Sequence, residues 1–281
     1  SPLPCLWVQS AAVFSTYYHY VHSLVEFPSV ENPDVAVSLP GLPTLRPDEL
    51  PTFMLPSNPY KSLTEVILSQ FRNIQKANWV LLNSFQELEH DAIKSLSDKL
   101  PLIPVGPLVD DNSNSEINGD LWKSADDCVQ WLDIQLPNSV VYVSLGSVVR
   151  LTETEMTEMA NGLLNCGRPF LWVVRDDCRK LLPAEIMERV KDSNGMLVSW
   201  SPQEKVLSHR SSGCFLTHCG WNSTLEALTA GCGVKVLKLL QMTGSGACSC
   251  TRRTREGPEL GFLVVPRMIK SVHELEWKIV R

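Results

Sequence analysis

The amino-acid sequence predicts an α/β protein with parallel sheets, and three observations carry that prediction. Extended apolar runs alternate with helix-period segments from residue 139 onward, the pattern of strands joined by crossover helices. The junctions carry cap and turn residues, as at Thr152-Glu153-Thr154-Glu155 and Cys219-Gly220. With 281 residues and 44% hydrophobic content, the chain can bury more core than one small domain needs.

Residues 1–109 are proline-rich between apolar segments, as in Leu39-Pro40-Gly41-Leu42-Pro43, which divides them into short elements and loops. One helix is predicted over 62–76 and an extended run at 79–83. The polar, aperiodic Asp110-Asp111-Asn112-Ser113-Asn114-Ser115 marks a boundary. Residues 1–109 then form one domain, 110–135 a linker and 136–281 a second domain. In the second, strands are predicted at 140–144, 170–174, 196–199 and 214–217. Helices are predicted from the Thr152 capping box to about Gly167, and at 183–191, 203–209 and 222–230.

The formal net charge is −6 and no basic run precedes the C-terminal region, so neither a nucleic-acid binder nor an anionic-membrane surface is indicated. No apolar run approaches the roughly 20 residues of a membrane span. Nine cysteines, odd in number and scattered, suit reduced thiols better than a disulfide framework and point to the cytoplasm. Charge is unevenly spread: from Lys235 onward nine Lys and Arg face four Asp and Glu, opposite in sign to the acidic remainder.

The segment richest in chemistry runs from Trp200-Ser201-Pro202-Gln203 to His218-Cys219-Gly220-Trp221-Asn222-Ser223-Thr224-Leu225-Glu226. It sets a glycine turn where a strand ends and a helix begins, and there free backbone N–H groups and the helix dipole favour an anion such as phosphate. Gly220, Asn222 and Ser223 would face a pyrophosphate. His218 can donate to a phosphate oxygen, Glu226 lies one helical turn beyond Asn222 and can accept from ribose hydroxyls, and Trp200 offers a flat face to a base.

At these residues the sequence resembles the signature box of the plant UDP-glycosyltransferases, with Trp200, Gln203, the His218–Ser223 run and Glu226 at family spacing. Trp79-Val80-Leu81-Leu82-Asn83-Ser84-Phe85, Pro104-Val105-Gly106-Pro107-Leu108, Trp131-Leu132-Asp133 and Val140-Val141-Tyr142-Val143-Ser144-Leu145-Gly146-Ser147 resemble the family too. The resemblance implies a GT-B-like fold of two Rossmann-like domains with parallel sheets, the N-terminal one incomplete. It implies Trp200 on uracil, Gln203 near the nucleoside and Glu226 on the ribose, with Ser201 among the donor-binding residues. Ser147, His218, Gly220, Asn222 and Ser223 would surround the diphosphate, and Trp221 would support the sugar region. The implied reaction is inverting transfer of glucose from UDP-glucose to a small aromatic or phenolic hydroxyl or carboxylate, by a monomer without metal or redox cofactor. Tyr17-Tyr18-His19-Tyr20 and Leu55-Pro56-Ser57-Asn58-Pro59-Tyr60 are most similar to members that form glucose esters of phenolic acids.

Two departures bear on that reading. The resemblance sets the family's catalytic histidine and its aspartate partner upstream of Ser1, and residues 2–9 already resemble a mid-domain strand, so no catalytic base is assigned. His19 and His22 are read as packed residues or residues of the acceptor pocket. The family's sugar-binding Asp-Gln pair also fails to appear: the count from Trp200 reaches Met242 and Thr243, and Gln241 comes early without an aspartate beside it. Family-like text ends near Gly231, and a shifted reading frame or altered splice beyond it is the hypothesis that accounts for the change in charge. The rival reading from another class is a silent UDP-sugar binder derived from such an enzyme. His209, Cys214, His218 and Cys219 match no zinc spacing. Gly231-Cys232-Gly233 and Gly244-Ser245-Gly246 each lack a third glycine of the dinucleotide pattern and read as turns.

Overall fold

The computed structural model describes residues 4–109, 126–147 and 149–232, with the backbone of short strands at 234–236, 252–254 and 257–259. The chain divides between Val109 and Asp110 into two compact units.

The first unit holds β1 (Pro4–Trp7), α1 (Ala11–Val21), α2 (Lys61–Ser69), β2 (Trp79–Leu82), α3 (Gln86–Leu96) and β3 (Leu102–Pro104). Its three strands are parallel in the order β1-β2-β3. The extended run expected over residues 2–9 is thus β1 from Pro4 to Trp7, while Ser1, the point upstream of which the catalytic pair was read to lie, falls outside the described residues. Side chains alternate across the pleat. Trp7, Val80 and Leu82 therefore share the face that meets Phe14, Tyr17 and Phe71 in the core. Trp7 packs its edge on Phe14 and Phe71 at 5.3 and 5.4 Å between ring centres. Leu6, Leu81 and Ile103 are in register on the other face, where Leu6, Trp79 and Ile103 are exposed.

The predicted helix over 62–76 is α only to Ser69 and continues as a 3-10 turn, Gln70–Lys76. Leu68, Phe71 and Ile74 are all buried, and their spacing of three matches the 3-10 repeat rather than the α repeat. Two α-helices of this unit escaped the sequence reading. One is α1, capped by Ser10, whose hydroxyl accepts from Val13 N at 3.1 Å. The other is α3, whose Glu89 is buried and reaches back to α1: its carboxylate accepts from Ala11 N at 2.8 Å, Ala12 N at 3.0 Å and Ser84 Oγ at 2.7 Å. Such a carboxylate serves the uncapped donors of a helix start.

The second unit runs α4 (Asp126–Asp133), β4 (Val140–Ser144), α5 (Glu153–Asn165), β5 (Phe170–Val173), α6 (Asp176–Arg179), α7 (Ala184–Lys191), β6 (Gly195–Val198), α8 (Gln203–Ser208), β7 (Ser212–Thr217), α9 (Trp221–Thr229) and β8 (Val234–Val236). Five parallel strands stand in the order β6-β5-β4-β7-β8. Val141, Val143, Phe170 and Trp172 pack on one side against α5 and α7. Val140, Tyr142, Leu171 and Phe215 pack on the other against α4, α8 and α9. Both faces are covered, as an all-parallel sheet requires. The Thr152 capping box forms: Thr152 N donates to Glu155 Oε2 at 2.8 Å and Glu155 N to Thr152 Oγ1 at 3.3 Å. Residues 126–133, read above within a linker, form α4, because Cys128 and Leu132 stand one turn apart and are fully buried against the sheet.

β9 (Arg252–Thr254) and β10 (Gly257–Glu259) pair as a two-stranded ribbon. The readings placed on Gln241, Met242, Thr243 and the Gly244 turn lie outside the described residues.

Candidate functional site

After β6 the chain returns to the far side of β4, so the order of the sheet reverses between β4 and β7. At such a reversal two crossovers leave in opposite directions, and the carboxyl ends of the strands open a crevice for ligands. The turn after β4 carries Gly146 and Ser147, and the turn after β7 carries His218, Cys219 and Gly220. Gly220 is the N-cap of α9 and brings no side chain to its first turn, where Trp221, Asn222 and Ser223 stand. Glu226 follows on the second turn, and Trp200, Ser201 and Gln203 lie between β6 and the start of α8.

His218 links the two turns. A Cβ on Gly146 would stand 2.6 Å from its Cε1, and one on Gly220 would stand 2.6 Å from its Nε2. Both positions therefore need glycine, and Gly146 also has φ of +70°, where a side chain is strained. The His218 Nδ1 is buried without a hydrogen-bond partner among the described residues. Burial holds the imidazole below its ordinary pKa, which keeps the ring neutral with one N–H to offer.

Gln203 gathers a second group. Its Nε2 donates to Ser223 Oγ at 3.0 Å and to Glu226 Oε2 at 2.6 Å, while its Oε1 accepts from Tyr142 Oη at 3.2 Å. Ser201 is buried with its hydroxyl 2.9 Å from the same phenol, so its side chain faces the core. Trp200 is half-buried, Asn222 is exposed, and Trp221 is buried. The main-chain carbonyl of Ser147 accepts from Arg175, a residue just past β5 that also pairs with Asp177 at 3.1 Å. The structure thus brings His218 and Gly220 together with the Ser147 turn, and Gln203 together with Ser223 and Glu226.

Sequence reasoning gave no role to Tyr142, Gly146 or Arg175. The signal for Tyr142 was a lone hydroxyl inside the apolar run 140–143, since a buried tyrosine needs a partner for its O–H. Elsewhere, Asp133, His209 and Ser211 form a chain that looks like a nucleophile triad, with His209 Nε2 3.2 Å from Asp133 Oδ1 and Nδ1 2.8 Å from Ser211 Oγ. Ser211 is completely buried, so no substrate reaches it, and the chain serves to tie α4 to the start of β7. His19 is packed on Ser15 O at 2.7 Å, and His22 lies 3.0 Å from Gln75. Among the described residues no three His, Cys, Asp or Glu stand close enough to hold a metal ion, and no helix is long and apolar enough to cross a membrane.

A doubly wound parallel sheet, with glycine turns and a helix start gathered at its reversal point, defines a nucleotide-binding type of α/β domain. The sequence model of the family described as UDP-glucoronosyl and UDP-glucosyl transferase matches residues 114–241, ten residues past the point where family-like text was read to end. A gallate 1-beta-glucosyltransferase of Quercus robur is 47% identical over 82% of this chain and 46% of its own length. The gallate 1-beta-glucosyltransferase 84A24 of Punica granatum is 48% identical over 82% and 46%. The structure of Phytolacca americana UGT2 complexed with UDP-2fluoro-glucose and pterostilbene is similar with a TM-score of 0.72 at 33% identity, over 87% of this chain and 54% of that one. That of Os79 from O. sativa in complex with UDP gives a TM-score of 0.74 at 31% identity, over 83% and 54%. This chain belongs to the UDP-glycosyltransferase family, and it spans about half the length of the curated relatives it matches.

Proposed function

We propose that the second unit holds the uridine diphosphate of UDP-glucose, and that the protein transfers the glucose, with inversion, to a small phenolic acid or other aromatic acceptor. The observation that carries this reading is the gathering of His218, Gly220 and Ser147 at one end of the sheet reversal with Gln203, Ser223 and Glu226 beside them. His218 and the first-turn N–H groups of α9 would take the diphosphate, whose charge grows as the sugar leaves, so donors fixed beforehand lower the barrier. Glu226 would accept from the ribose and Trp200 would cover the base. The names of the Quercus robur and Punica granatum relatives, and of a cinnamate beta-D-glucosyltransferase of Fragaria ananassa at 44% identity, support an aromatic acid as acceptor. A catalytic base to deprotonate the acceptor is not assigned to any residue here. The action of the protein as a monomer in the cytoplasm belongs to the same proposal.

The test is release of UDP from UDP-glucose in the presence of gallic or cinnamic acid, with the glucose ester identified by mass spectrometry. Acceptor-dependent release supports transfer. Tight UDP binding with no release under any acceptor would contradict transfer by this chain and favour the silent binder.

A further inference from the structure

We infer that Tyr142 is a positioning residue for the nucleoside end of the site: its hydroxyl fixes the Gln203 amide in the orientation that sets the Glu226 carboxylate. The inference rests on the reading of Glu226 as the ribose acceptor. Tyr142 lies in the middle of β4, fully buried, with its ring stacked on Phe215 of β7 at 4.9 Å and 16° between planes. That packing keeps the ring from turning, so its Oη is held at the edge of the core, 2.9 Å from Ser201 Oγ and 3.2 Å from Gln203 Oε1.

The direction of each proton follows from the chemistry. Burial raises the phenol well above its ordinary pKa, and the negative charge of Glu226 adds to that, so Tyr142 keeps its proton. It donates that proton to Gln203 Oε1, and Ser201 in turn donates to Tyr142. An amide can present either its oxygen or its NH2 on a given side. With the oxygen drawn to Tyr142, the NH2 is left facing Ser223 Oγ and Glu226 Oε2, at 3.0 and 2.6 Å. The opposite orientation would set the amide oxygen against the Glu226 carboxylate and take from the Tyr142 proton its acceptor on Gln203. A hydroxyl inside the sheet thus determines where a carboxylate stands on α9, through one glutamine on α8.

Calorimetric titration with uridine diphosphate and with its 2′,3′-dideoxy counterpart tests this on the full chain. In the wild type the ribose hydroxyls should strengthen binding, and Tyr142→Phe should narrow that preference about fivefold, the effect of one ordered hydrogen bond. Affinity for the dideoxy ligand should change little, which separates positioning from a general loss of structure. Gln203→Leu should narrow the preference as well, and adding Tyr142→Phe to it should cost nothing more, because the phenol acts through the amide. If Tyr142→Phe does not fold, Phe215→Leu, which loosens the ring and keeps the hydroxyl, should narrow the preference in the same direction. A ribose preference left undiminished in these variants overturns the role of Tyr142 alone. A wild type that binds both ligands equally overturns the assignment of Glu226 to the ribose beneath it.

Discussion

The two parallel sheets of this protein differ in how they are covered. The five-stranded sheet of the second unit has helices on both faces, and Trp172 at its centre is 1% exposed. Among the described residues the three-stranded sheet of the first unit has a core on one face only, and Trp79 on the other is 44% exposed beside Leu6 and Ile103. Parallel strands are written as continuous apolar runs because both faces expect burial. In the second unit that expectation is met within the unit. In the first, the described residues leave alternate positions of the strands, Leu6, Trp79 and Ile103, without such cover.

The largest expected effect of that difference comes from two tryptophans in opposite settings, one in the closed core and one on the open face. Trp172→Ala should destabilise the protein by about 3–5 kcal/mol, the range for emptying a large aromatic site in a closed core. Trp79→Ala should cost less than about 0.5 kcal/mol while reducing binding of a hydrophobic dye. Urea unfolding followed by circular dichroism reads both. Similar losses at the two positions would mean that the open face is buried in solution.

A second, smaller effect belongs to the buried carboxylate that ties α3 to α1. Desolvation raises the pKa of Glu89 despite its three donors. A raised folded pKa contributes stability that is present below the unfolded value and lost as pH rises through the folded one. Lowering the pH from neutral toward the ordinary carboxylate range should therefore stabilise the wild type relative to Glu89→Gln, which has no such titration. Calorimetric melting of the pair between those limits checks the sign; a gap that moves the other way would show that the donors outweigh burial. Smallest is the effect at the nucleotide end of the closed sheet. Gly146→Ala adds a Cβ against His218 at a left-handed φ, and should weaken UDP binding by about 1–2 kcal/mol with a modest fall in melting temperature.

The sequence made one sheet far more legible than the other. Between 139 and 231 every strand and helix is separated by a turn signal, and β4, α5, β5, α7, α8, β7 and α9 stand within a residue or two of where periodicity places them. Residues 11–21 and 86–96 offer no such signal. Helix α1 is rich in Tyr and β-branched residues, and its start depends on Glu89, which is remote in sequence and close only in the fold. The grouping around Gln203 was visible as residue types at a spacing, but its supports were not. Tyr142 reaches the site from β4 and Arg175 from the turn after β5, and the need for glycine at 146 comes from a ring that follows 72 residues later.

The proposed function stands or falls with the turn and helix start from His218 to Glu226, and Trp200 beside them, as a seat for uridine diphosphate. Calorimetric titration of UDP into the wild type and Trp200→Ala tests it most directly. Saturable binding by the wild type is expected, weakened by about 1–3 kcal/mol when the stacking face is removed. Equal affinity in the two proteins, or no binding by the wild type, would contradict it.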